Sequence, residues 1–142
     1  MIDAYREVTK EVPEAQLALV GSMATDDPEG AQVLNDVREA AERDLDIYLL
    51  DLPSNAHLAI NALQRAATIV IQKSTREGFG LTVAEAMWKG KPVIGGAAGG
   101  ITVQIVSGVT GYTVNSVEGC ACRTRYLLSN PQLMRRMGWA GR

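Results

Sequence analysis

The loop that surrounds Glu77 carries the side chains best suited to chemistry. Glu77 lies in the loop itself, and Glu85 follows eight positions later, inside a predicted helix. Gly78 and Gly80 let the main chain of the loop approach a ligand closely. The helix, which we expect to begin near Thr82, directs unpaired N–H groups and a partial positive charge at the same place, which favours a phosphate group. Because carboxylates accept hydrogen bonds from hydroxyl groups, the two glutamates suit a sugar or a ribose.

Each glutamate also has a structural interpretation that the spacing leaves open. Thr82 and Glu85 match the S/T-x-x-E capping box, in which Glu85 reaches back to the amide of Thr82. Glu77 stands beside Arg76, and an ion pair of these two side chains on a solvated loop would contribute little to stability. Spacing alone does not decide between a ligand site and local structure.

A second glycine-rich loop, at residues 95–100, offers a further main-chain contact. It fails the dinucleotide fingerprint G-x-G-x-x-G because residue 97 is alanine, which weakens a nicotinamide-dependent dehydrogenase as a candidate. No G-x-x-x-x-G-K-[ST] sequence is present, which excludes a P-loop. The amides of Gly99 and Gly100 precede a short predicted helix and are candidates for contacting a sugar or a phosphate. The alternative is a tight turn between a strand and a helix.

The sequence gives little support to metal or nucleophile chemistry. His57 is the only histidine, and Cys120 and Cys122 lack ligand partners at the usual spacing, so neither a zinc site nor a Ser-His-Asp triad is indicated. A disulfide between cysteines separated by one residue would close a small, strained loop. We therefore expect no protein-bound metal and no disulfide as the main source of stability.

The elements that position these loops alternate along the chain. Short apolar runs predict strands at 16–20, 47–50, 68–71, 92–94 and 111–114. Helical patterns lie at 2–12, 31–43, 55–66, 82–89 and 101–106, with a helical remainder interrupted near Pro131. The alternation predicts an α/β fold, a doubly wound mostly parallel sheet with helices on both faces. Ligands bind beyond the carboxyl ends of such strands, where the loops at 21–30, 72–81 and 95–101 lie.

Composition bounds the size and the partners of the protein. The chain has 142 residues, 46% of them apolar, which suits a single domain over residues 1–142. A net charge of −2 favours neither nucleic acid nor an anionic membrane surface as a partner, and no apolar run is long enough to cross a bilayer, so we expect a cytoplasmic protein.

Doubly wound domains usually begin with a strand, whereas this chain begins with a helix. We expect a truncated piece of a longer protein whose first strand lies upstream of Met1; a small domain with a helical start is the alternative.

The motifs resemble the nucleotide-sugar half, a Rossmann-like domain, of GT-B retaining glycosyltransferases of family 4. The similar segments are residues 77–87, 90–94, 99–101 and 108–112, with the two glutamates, their glycines and the downstream Gly-Gly-Ile in order. Residues 61–66 and 84–91 are similar to the trehalose glycosyltransferring synthases in particular. The resemblance extends from about residue 8 to residue 137.

The resemblance implies roles for individual residues. It places Glu77 by the donor sugar at the reaction centre, as the catalytic residue, and Glu85 on the ribose hydroxyls. The segment just after Leu50 would border the base. Main-chain amides would reach the sugar and the diphosphate from Gly78, Phe79, Gly80, Leu81 and Thr82.

The implied reaction is the transfer of glucose from UDP-, ADP- or GDP-glucose to a sugar hydroxyl with retention of configuration, as in trehalose synthesis. No cofactor and no protein-bound metal are implied. The Arg and Lys with which the family neutralises the diphosphate are expected upstream of Met1, as is the N-terminal acceptor domain, so we expect little or no turnover by this chain alone. Lys73 and Arg76 are candidates for a partial substitute.

A different function class remains open beside the enzyme. The chain would then be a non-catalytic nucleotide-sugar-binding or protein-interaction module. Exposed Trp88 or Trp139 would serve a partner, and a homodimer is one candidate assembly.

Overall fold

The computed structural model describes residues 1–21 and 28–142. The strands in this part of the chain are β1 (Leu17–Gly21), β2 (Ile47–Asp51), β3 (Val70–Gln72), β4 (Val93–Gly96) and β5 (Gly111–Val114). The helices are α1 (Ile2–Thr9), α2 (Pro28–Ala41), α3 (His57–Ala66), α4 (Leu81–Trp88), α5 (Ile101–Gln104), α6 (Val117–Leu128) and α7 (Pro131–Gly141). The predicted alternation is confirmed. The loop predicted at 21–30 lies outside the described residues over 22–27.

All strand pairs are parallel, which confirms the α/β class. β1 pairs with β2, and β3, β4 and β5 pair in that order. We predicted a single sheet; in the described part of the chain the ladders form a two-stranded and a three-stranded sheet. The three-stranded sheet carries the candidate site, because Glu77, Gly99 and Gly100 lie in its loops and Glu85 lies in the helix that follows β3.

Helices cover both faces of the three-stranded sheet. Val93 and Ile94 are adjacent in β4, point to opposite faces and are both fully buried. Val93 belongs to a cluster formed with α4 and α5, and Ile94 belongs to a cluster formed with α1, α6 and α7. The continuous apolar run that predicted this strand is therefore explained by its burial on both sides.

Helix α1 connects the two sheets. Its buried stripe of Ala4 and Val8 packs into the cluster that contains Ile94 of β4. On its other side, Arg6 donates from Nε (3.1 Å) and Nη2 (2.8 Å) to Oδ2 of Asp44, which lies just before β2. Helix α1 thus packs its apolar side on the three-stranded sheet and directs Arg6 toward the segment that leads into β2.

The described helices are short. The longest, α2, has 14 residues, whereas a membrane span needs about 20. Within residues 1–21 and 28–142, no helix is long and apolar enough to cross a bilayer.

Candidate functional site

Two loops meet at the carboxyl-terminal edge of the three-stranded sheet. Gln72, the last residue of β3, is in register with Gly95 of β4, so both strands release their loops on the same side. Parallel sheets bind ligands at this edge. We call residues 73–80, between β3 and α4, the Glu77 loop, and residues 97–100, between β4 and α5, the Gly99 loop.

The Gly99 loop lies directly against the main chain of the Glu77 loop. The N–H of Gly100 donates to the carbonyl oxygens of Glu77 (3.2 Å) and Gly78 (3.1 Å). Gly99 has a φ of 45°, and a Cβ there would overlap the carbonyl oxygen of Glu77. A Cβ on Gly100 would lie 2.5 Å from the carbonyl oxygen of Phe79. Close backbone packing explains why both positions are glycine. The sequence made the Gly100 amide a candidate ligand contact, but in the structure this N–H donates to two carbonyl oxygens instead.

The carboxylate of Glu77 is held by its own loop and by the end of β3. Its Oε2 accepts hydrogen bonds from Ser74 Oγ (3.2 Å) and Gln72 Nε2 (3.4 Å), and its Oε1 accepts one from the N–H of Gly80 (3.1 Å). Gln72 also donates to Ser74 Oγ at 2.8 Å. Among the ion pairs of the described residues, none joins Glu77 to Arg76. The solvated ion-pair interpretation is therefore wrong, and Glu77 is half-buried in a fixed orientation.

Helix α4 begins with N–H groups free to receive a ligand. Gly80 precedes the helix with a φ of 87°, a conformation that favours glycine. The amides of Val83 and Ala84 donate to the carbonyl oxygen of Gly80. The amides of Leu81 and Thr82 donate to no acceptor within the described part of the chain. They carry the positive end of the helix dipole, as the phosphate-binding hypothesis requires.

Glu85 makes a contact that its spacing does not indicate. The helix begins at Leu81, so Thr82 is already its second residue and is not in the capping position. Glu85 Oε2 instead accepts a hydrogen bond from Gln64 Nε2 of α3 at 3.0 Å. Lys89 Nζ donates to Gln64 Oε1 at 2.6 Å. The capping-box interpretation of Glu85 is therefore wrong in this structure.

Sequence reasoning missed Gln64. This side chain is 7% exposed although it is polar, and it lies 21 positions before Glu85. One signal was available, since Lys89 follows Glu85 at the i,i+4 spacing of a helical ion pair. Nothing in the local sequence, however, indicates which residue of α3 faces them.

The remaining predicted ligand residues line the open side of the Glu77 loop. Gly78 has nothing within 4 Å of the place where a Cβ would stand. Phe79 and Leu81 are 58% and 68% exposed. Lys73 and Arg76 are exposed on the same loop. The structure thus places every predicted residue of the loop at one edge, with its apolar and cationic side chains in solvent.

The histidine and the cysteines lie in helices α3 and α6 and not in the Glu77 loop or the Gly99 loop. His57 is exposed at the first residue of α3. Cys120 is buried in α6, and burial raises the pKa of its thiol, whereas Cys122 is exposed. Within the described part of the chain, no group of three or more His, Cys, Asp and Glu side chains could hold a metal ion.

The family model described as "Glycosyl transferases group 1" matches residues 1–142. The chain belongs to this family. The resemblance of the chain to GT-B glycosyltransferases is confirmed, and so is the similarity of the chain to trehalose synthases. The trehalose synthase of Thermococcus litoralis is 48% identical over 139 residues, which cover 97% of this chain and 34% of that protein.

Two solved structures have the same fold. The C-terminal domain of a glycosyl transferase group 1 family protein (LpcC) from Francisella tularensis has a TM-score of 0.82 and 27% identity, covering 99% of this chain and 72% of that one. Anabaena Alr3699/HepE in complex with UDP-glucose has a TM-score of 0.83 and 22% identity, covering 99% of this chain and 37% of that one. The chain spans about a third of the length of the trehalose synthase that it matches.

Proposed function

We propose that the chain is the nucleotide-sugar-binding domain of a two-domain, cytoplasmic retaining glycosyltransferase. Its ligand would be glucose linked to a nucleoside diphosphate, and the parent enzyme would transfer that glucose to an acceptor sugar to form trehalose. One observation carries the proposal: the fixed carboxylate of Glu77 stands beside the free amides of Leu81 and Thr82, in a chain 48% identical to a trehalose synthase.

The proposed roles follow from the partners of each group. Glu77 faces the donor sugar. Three hydrogen bonds already fix its carboxylate, so its orientation costs no further entropy on binding. The amides of Leu81 and Thr82 bind the diphosphate. Glu85, exposed on α4, accepts hydrogen bonds from the ribose hydroxyls. Gly78 leaves the space through which the sugar approaches the main chain.

The proposed chemistry exchanges one bond at the anomeric carbon for another. The bond to the diphosphate oxygen breaks, the bond to the acceptor oxygen forms on the same face of the sugar, and the acceptor proton passes to the departing diphosphate. Negative charge builds on that diphosphate, where the first amides of α4 and the helix dipole stabilise it. Lys73 and Arg76 are cations of the same loop. They would add to this stabilisation.

An apolar rim beside the site supports a second domain as partner. Four apolar residues around the Glu77 loop and α5 are exposed to solvent. Their exposed fractions are 58% for Phe79, 68% for Leu81, 82% for Val103 and 57% for Val106. Contiguous exposed apolar side chains mark interaction surfaces. We propose that the acceptor domain of the parent enzyme covers this rim and supplies the acceptor sugar and further cations for the diphosphate.

Calorimetric titration of the 142-residue chain with UDP-, ADP- and GDP-glucose tests the donor proposal. We expect weak binding of at least one donor and an affinity about tenfold lower in Glu85→Ala, because hydrogen bonds to a charged group are lost. Glu39→Ala, which removes an exposed carboxylate from α2, is the matched control and should bind like the unmodified chain. Equal affinity in Glu85→Ala would remove Glu85 from the site.

Two further measurements test the need for a second domain and the role of the two cations. Steady trehalose formation by the chain alone would contradict the need for a second domain. Replacing both Lys73 and Arg76 by Met should weaken UDP binding severalfold. Unchanged affinity would show that neither cation meets the diphosphate.

The exposure of Trp88 (70%) and Trp139 (80%) favours a second candidate, a protein-interaction module. Large aromatic side chains are enriched in interfaces. Elution of the chain as a dimer that has no affinity for any of the three donors would support this function over donor binding.

A further inference from the structure

Gln64 is a buried polar side chain that two charged groups hold at both ends. It lies in α3, is 7% exposed, and contacts two residues of α4, Glu85 and Lys89. Burial of an amide is costly unless its hydrogen bonds are made, and here both the oxygen and the nitrogen have partners. The cost of this burial indicates that the side chain does more than fill space.

The chemistry of the partners fixes which way the amide points. Lys89 has only donors, so the atom that faces it at 2.6 Å must be the amide oxygen of Gln64. The NH2 group is then directed at Glu85 Oε2, at 3.0 Å. A carboxylate can only accept, so the reversed amide would fail at both ends. Lys89 therefore sets Gln64, and Gln64 sets Glu85.

Gln64 holds one oxygen of the Glu85 carboxylate and leaves the other oxygen available to a ligand. Oε2 is engaged by Gln64, and Oε1 has no partner in the described residues. The carboxylate lies one helical turn after the free amides at the start of α4. A side chain fixed before the ligand arrives loses less conformational freedom on binding, which raises affinity.

We propose that Gln64 is a positioning residue that orients Glu85 toward the ribose hydroxyls of a bound nucleotide. This inference rests on the proposed function and deepens it. Gln64 touches no ligand itself and acts through Glu85, while Lys89 keeps the amide in the productive orientation.

The test uses two substitutions of similar size in the 142-residue chain. Gln64→Glu keeps the acceptor that faces Lys89 and replaces the donor that faces Glu85, and Gln64→Met removes both hydrogen bonds. We expect each to weaken UDP binding about fivefold, measured by calorimetry. Gln32→Met, an exposed glutamine of α2, is the control and should bind like the unmodified chain.

Two comparisons separate positioning from a general loss of structure. With 2′,3′-dideoxy-UDP, which lacks both ribose hydroxyls, Gln64→Met and the unmodified chain should bind equally. In a Glu85→Ala background, Gln64→Met should cause no further loss, because its effect passes through Glu85. An equal loss for UDP and its dideoxy analogue, or additive losses in the double variant, would overturn the proposal.

The remaining outcomes also decide. Wild-type affinity in Gln64→Met beside weakened Glu85→Ala would overturn the positioning role and leave the proposed function standing. Absence of UDP binding by the unmodified chain would overturn both. Where the Gln64 variants do not fold, Lys89→Met takes their place: it frees the amide to rotate, and we expect a smaller loss, about twofold, confined to UDP. No loss in Lys89→Met would then count against the proposal.

Discussion

Gly100→Ala is the substitution that best tests how the two loops of the site are held together. A Cβ on Gly100 would stand 2.5 Å from the carbonyl oxygen of Phe79 and 2.6 Å from its Cα. Both are backbone atoms, so neither can rotate away. Ordinary contacts of carbon lie at about 3.5 Å, so the Gly99 loop must move by about 1 Å from the Glu77 loop.

The energetic cost has two parts. Overpacking of this kind costs about 1–3 kcal/mol. The displacement also weakens the two hydrogen bonds from the N–H of Gly100, at 3.2 and 3.1 Å, each worth about 1 kcal/mol. We expect a net destabilisation of about 2–3 kcal/mol, which lowers the melting temperature of a chain of this size by about 6–9 °C.

Thermal unfolding followed by circular dichroism measures this change, and Gly78→Ala is its control. Gly78 is in the opposing loop, yet its Cβ would meet nothing within 4 Å. We expect Gly78→Ala to melt within about 2 °C of the unmodified chain. If Gly100→Ala melts as Gly78→Ala does, the two loops are not packed backbone against backbone and the explanation of the glycines fails.

Two further predictions concern helices α6 and α7. Gly138→Ala should lower the melting temperature by several degrees, because its Cβ would overlap the carbonyl oxygen of Gly90, whereas Gly141→Ala meets only a flexible methionine side chain and should cost less. Equal melting of the two variants would contradict the close packing of α7 on the turn that follows α4. Iodoacetamide should modify exposed Cys122 far faster than Cys120, whose thiol pKa is raised by burial; mass spectrometry measures both, and similar rates would contradict the burial of Cys120.

The elements were predictable because each depends on a local pattern. The run of Val93 and Ile94 predicted a buried strand, and both residues are fully buried. Ends were less predictable: α1 was expected to continue to Val12 but ends at Thr9. The chain turns there, and the N–H of Val12 still donates to the carbonyl oxygen of Val8. Val12 packs on the core without being helical, so its apolar character misled the assignment.

The site was predictable only in part, because its contacts join distant segments. The Glu77 loop and its glycines could be found, since their spacing is local. The packing of Gly100 on Glu77, and of Gln64 on Glu85, depends on how loops and helices dock. The capping box failed for a smaller reason: Gly80 takes a left-handed φ of 87° and starts the helix one residue before Thr82.

The two glutamates are held in place by different kinds of structure, and this difference has a consequence for binding. The partners of Glu77 come from a single stretch of chain, Gln72 to Gly80. Glu85 instead depends on Gln64, from a separate helix. Loosening of α3 against α4 should therefore weaken the contact that we propose between Glu85 and the ribose, while Glu77, proposed to face the sugar, keeps its geometry. Because both carboxylates are already held before a ligand arrives, binding requires little further ordering, and we attribute any weakness of donor binding to too little positive charge at the diphosphate rather than to a disordered site.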